Sequence, residues 1–115
     1  MLKETYTPRV GYAVIDTVIL RPKEEKAIFI NKEANNSIIK DEDILTYRVK
    51  AIAKGCDLKE GQFIQMVSDL KSPGLFGTIV PLDTIISTIE YEGLDDYNIK
   101  TYAELAEEYE QTKQS

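Results

Sequence analysis

Two regimes of apolar spacing divide the chain. From Tyr12 to Tyr91 the apolar residues come in short, β-branched runs broken by glycine, proline and charged clusters, the spacing of strands and turns. From Thr101 onward they fall at helical intervals. Tyr12 to Arg21 reads as the first strand, with faces Ala13, Ile15, Thr17, Ile19 and Val14, Asp16, Val18, Leu20. Both faces are largely apolar, which suits a barrel or sandwich better than a half-exposed hairpin. Pro22 brings no ladder donor and ends the run.

Tyr47 to Ala53 is the next strand, with Tyr47, Val49, Ala51 and Ala53 expected inward, Arg48, Lys50 and Lys54 outward, and Ile52 the exception. Gly55 supplies the turn that ends it, and a second turn closes on Gly61. Gln62 to Val67, Thr78 to Val80 and Ile85 to Tyr91 are further extended pieces. Lys71-Ser72-Pro73-Gly74 and Pro81 to Asp83 separate them.

The 24 residues Lys23 to Thr46 exceed the roughly 12–15 residues usual for a connection in a compact domain. Charged clusters and Asn35-Asn36-Ser37 surround two apolar patches, Ala27 to Ile30 and Ile38-Ile39. The segment is either a functional loop or a hairpin pairing those patches, and the two are compatible.

After Gly93, Thr101-Tyr102-Ala103-Glu104 matches a capping box, in which hydroxyl and carboxylate each accept an unpaired backbone N–H. Tyr102, Leu105, Ala106 and Tyr109 form one stripe of a helix ending near Gln111. That stripe is too narrow for a core helix, so Tyr102, Leu105 and Tyr109 are candidate interface residues, against the barrel's outside or a neighbour. The expected organisation is a mainly β domain over residues 1–92, with 23–46 as an inserted loop, and an acidic helical tail over 93–115.

Charge sharpens this division. The net charge of −6 resides wholly in the stretch from Glu90 onward, where eight acidic groups face two basic ones. Such a balance argues against coating duplex DNA. Arg48, Lys50 and Lys54 on one strand face leave a single-stranded nucleic-acid binder as a lesser alternative, but only Tyr47 and Phe63 are near enough to stack bases. No run approaches the ~20 apolar residues of a membrane span, and Met1-Leu2-Lys3-Glu4 opens into polar sequence, so a cytoplasmic protein without a secretory leader is expected.

Candidate chemistry is sparse. With no histidine and one cysteine, Cys56, acid–base work would fall to carboxylates, lysines or tyrosines. Asp41-Glu42-Asp43 and Asp95-Asp96 lack the ligand spacing of a calcium loop. Cys56 reads as a turn residue, and Asp16 as a carboxylate at the barrel rim or paired with a basic neighbour. No catalytic residue, metal or cofactor is expected.

The order of elements resembles the GroES-like co-chaperonin family over roughly residues 12–91. The resemblance rests on Val14 to Pro22, a long loop, Val49 to Gly55, Leu58-Lys59-Glu60-Gly61-Gln62-Phe63-Ile64 and the closing piece Pro81 to Glu90. It implies a partly open β-barrel, usually assembled as a heptameric ring that caps a chaperonin. It also implies that an apolar tripeptide on the long loop contacts that partner; here the match is Ile28, Phe29 and Ile30. Glu25-Lys26-Ala27 stands where the family has glycines, and Ser68 to Gly77 is shorter than the family's roof hairpin. The sequence thus points to an assembly protein binding itself and a larger shell or ring. An architectural subunit of a virus-like particle, then virion-associated, is the alternative on the same barrel.

Overall fold

A computed structural model describes residues 2–24, 39–70 and 74–113 of the chain. Among these residues six antiparallel strands form one sheet: β1 (Tyr12–Pro22), β2 (Ile44–Ile52), β3 (Phe63–Met66), β4 (Thr78–Pro81), β5 (Ile85–Ile89) and β6 (Tyr97–Thr101). The helix α1 (Tyr102–Lys113) follows directly. The main path through the sheet runs β4-β1-β2-β3-β5 and does not close, while β6 also pairs with β1. The protein is therefore a mainly β, partly open fold with a long connection after its first strand and a C-terminal helix.

β1 organises the rest. One edge pairs with β2 along nearly its whole length, from Ala13↔Ile52 to Leu20↔Ile44. The other edge is divided, Tyr12 to Ile15 pairing with β4 and Val18 to Pro22 with β6. Ala13 to Leu20 are buried apart from half-buried Asp16, so both faces are covered, as the two apolar faces of the sequence require. On one side Ile15, Tyr47, Val49, Ile64 and Val80 form a core joined by Ile52, Leu58, Met66, Leu70 and Ile85. Elsewhere the Phe63 and Tyr91 rings meet edge to face at 5.2 Å, and the Tyr91 hydroxyl donates to Thr46 Oγ1 at 2.8 Å.

The structure departs from the sequence reading at three places. β2 starts at Ile44, three residues before Tyr47, because Leu20, Ile19 and Val18 supply partners there. The register slips between Val14↔Ala51 and Ile15↔Val49, leaving Lys50 as an extra residue. This bulge moves Ala51 to the face opposite Val49 and brings Ile52 against the core, which accounts for the break in alternation. Finally, a 3-10 turn at Leu94–Asp96 and strand β6 lie between Gly93 and the helix, so the segment after residue 93 is not helical from its start. The β1 edge beyond β4 provides the ladder that this short polar strand needs. The capping box forms, with Thr101 Oγ1 accepting the Glu104 amide at 3.2 Å, and α1 runs two residues past Gln111.

Gly77 fits tightly against β1. It has φ +101°, and a Cβ there would stand 2.7 Å from Val14 Cγ1 and 3.2 Å from the Ile15 carbonyl. Gly77→Ala should therefore cost about 2 kcal/mol through backbone strain and overpacking together. Urea unfolding of the purified variant checks this; an unchanged midpoint would mean that β4 does not seat on β1 through Gly77.

Candidate partner-binding surface

The long connection leaves β1 at Pro22 and returns at Ile44, and a compact polar cluster ties its two ends. Arg21 Nε donates to Asp43 Oδ1 at 2.9 Å and Arg21 Nη2 to Oδ2 at 2.8 Å, a bidentate pair. The Lys40 amide donates to the same Oδ2 at 2.8 Å, and the Asp43 amide returns a bond to the Lys40 carbonyl at 3.0 Å. The Asp43 side chain is 1% exposed. The Lys23 amide also donates to the Asp96 carbonyl at 2.9 Å, fixing the outgoing end to the turn before β6.

Burial alone would raise the Asp43 carboxyl. Its hydrogen bonds from Arg21 and the Lys40 amide, with the positive charges of Arg21 and Lys40, outweigh that and hold it below the usual carboxylate range. Exposed apolar side chains lie beside this base: Ile39, Ile44, Leu45 and Ile99. Ile44 and Ile99 flank buried Leu20 from its two neighbouring strands.

Ile28, Phe29 and Ile30, the tripeptide singled out for partner contact, lie outside the described residues, as does the hairpin alternative apart from Ile39. Leu105 is 4% exposed and seated in the chain's own packing, while Tyr102 and Tyr109 are half-buried. The helix rests on β1 and β6, and Lys100 of β6 pairs with Glu108 of α1.

The remaining candidates have local partners. Lys50 Nζ donates to the Phe76 carbonyl at 2.9 Å and stands 4.0 Å from Asp16 Oδ1, and the bulge at Lys50 interrupts the expected basic face with Arg48 and Lys54. The Cys56 amide closes a turn on the Ala53 carbonyl at 3.2 Å. Among the described residues no three acidic or thiol groups converge as metal ligands.

Sequence reasoning missed Tyr47 as a latch. Its hydroxyl accepts from the Leu70 amide at 3.0 Å and donates to Asp69 Oδ1 at 3.3 Å, holding the segment after β3. Burial, less the effect of the Leu70 amide and together with the Asp69 charge, pushes this phenol above its ordinary value. A further shallow depression of about 250 Å³ lies between the turn at Asp57 and β5.

In comparisons with known proteins, no family model, no curated protein and no solved structure matches this chain.

The Arg21–Asp43 pair has a pH signature. A depressed carboxyl contributes stability above its unfolded-state pKa of about 4, and that contribution is lost as pH falls through the lower folded value. Asp43→Asn should cost about 1–3 kcal/mol near neutral pH, since it leaves a guanidinium with a weakened partner. The gap from the parent should shrink by about pH 3, read by urea unfolding at both pH values. A gap independent of pH would show that the Asp43 charge does not hold the connection.

Proposed function

We propose that this chain is a non-enzymatic assembly subunit that works as co-chaperonins do, its β body presenting the long connection between β1 and β2 to a larger protein ring. The observation that carries the reading is the clamp at the base of that connection. A bidentate, part-buried ion pair joins the two ends of the segment, and the Lys23 amide on the Asp96 carbonyl fixes the outgoing end beside a two-sided strand. Ends fixed in this way limit the freedom lost when the connection docks, and repeated copies would multiply a weak contact. Ile28, Phe29 and Ile30 are the proposed contact residues, and the chain acts as a homo-oligomer without cofactor, membrane or nucleic acid.

A second reading is an auxiliary subunit of a viral shell. It is favoured by the short passage from β3 to β4, which holds no strand among the described residues, and by the added β6 and α1. The two readings differ in what is bound, a free chaperonin ring or an assembled particle.

The test replaces Ile28, Phe29 and Ile30 together by serine and measures binding to a purified chaperonin ring by biolayer interferometry. The parent chain should bind, and the triple variant should lose at least about tenfold in affinity with an unchanged circular dichroism spectrum. A parent that ignores chaperonin but copurifies with particles supports the second reading. Unfolding of the triple variant would place the tripeptide in the core and end the loop proposal.

A further inference from the structure

Among the described residues the sheet ends at β5, whose register there is with β3 alone. Soluble proteins protect such an edge with charge, proline or a bulge, because its unpaired amides and carbonyls template another strand. The other outer strands carry such protection: β4 ends in Pro81, and β6 contains Lys100 and follows Asp95-Asp96. β5 reads Ile85-Ile86-Ser87-Thr88-Ile89, with no charge, proline or glycine.

Its one irregularity, a bulge, lies near its start and leaves Ser87, Thr88 and Ile89 in regular register with β3. The register passes from Gln65↔Ser87 to Met66↔Ile85, so Ile86 is the extra residue of a bulge and is 58% exposed. Beside it Val67, whose amide donates to the Thr84 carbonyl at 2.8 Å, is 65% exposed. Both are among the more exposed large apolar side chains of the described residues. The shallow depression lined by Leu58, Leu82, Ile85 and Ile86 runs along the same strand.

We infer that two copies of this chain pair antiparallel through the free edge of β5, with Ser87 at the two-fold axis. The segment is complementary to itself in that direction. Pairing about Ser87 sets Ile85 opposite Ile89 and Ile86 opposite Thr88, with Glu90 just outside the paired stretch of each copy. Parallel pairing in register would bring Glu90 beside Glu90 at the end of the strand, and like charges directly opposite are destabilising. The inference goes beyond the proposed function and stands without the chaperonin contact.

Sedimentation velocity of the full chain at micromolar concentration should give a dimer or a multiple of one. Ile86→Lys and Thr88→Lys should each raise the dissociation constant about tenfold or more, by placing lysines near each other across the axis. If Ile86→Lys does not fold, Thr88→Lys decides. In a Cys56→Ser background, Ser87→Cys should form a disulfide-linked dimer on mild oxidation. Antiparallel partners sit about 4.5–5.5 Å apart at Cα, within reach of a disulfide.

A monomer at about a hundred micromolar, weaker than the dissociation constants of specific protein pairs, would overturn the inference. So would an assembly indifferent to both lysines, or a head-to-tail ring that gives no Ser87→Cys crosslink. The triple serine variant of Ile28, Phe29 and Ile30 should keep the parent's native mass, so loss of partner binding and loss of edge pairing are separately visible.

Discussion

The double burial of β1 is the constraint on which the remaining structure depends. A strand with Val14, Val18 and Leu20 on one face and Ala13, Ile15 and Ile19 on the other must have apolar material on both sides. One sheet can supply that only by curling, so β2, β3 and β5 bend round to the side of Ile15 and Val49. The bulge at Lys50 lies where this curl needs extra twist. The core is correspondingly small, and half-buried side chains such as Ile52, Leu58 and Met66 complete it.

How far this was legible follows from which interactions are local. The apolar faces of β1, the turns at Gly55 and Gly61, and the Thr101–Glu104 cap depend on neighbours within a few residues and were readable. The bulge was visible only as an unexplained Ile52, since the extra residue is defined by a partner strand some 35 positions away. β6 was hidden because Asn98 and Lys100 give Tyr97–Thr101 little apolar signal, and its existence depends on an edge of β1 left free by β4.

The candidate surface divides in the same way. An unusually long, apolar-patched connection stood out in the sequence, but nothing local joins Arg21 to Asp43. Asp43 looked like one of three equivalent acidic residues. Folding brings only this one beside Arg21 and the Lys40 amide, with its side chain out of water. The pairing turns an ordinary charged cluster into an anchor and gives the connection a defined exit from the sheet.

The divided edge of β1 also orders events in time. Val18 to Pro22 find their second partner in Tyr97 to Thr101, nearly the whole described chain later. Closing so long a loop is slow, and it comes after the local β2–β3 hairpin can form. During synthesis the far half of β1 must wait, with one ladder unpaired, until β6 has left the ribosome. The C-terminal quarter, with its eight acidic groups from Glu90 onward, is in this sense the last part of the sheet to arrive.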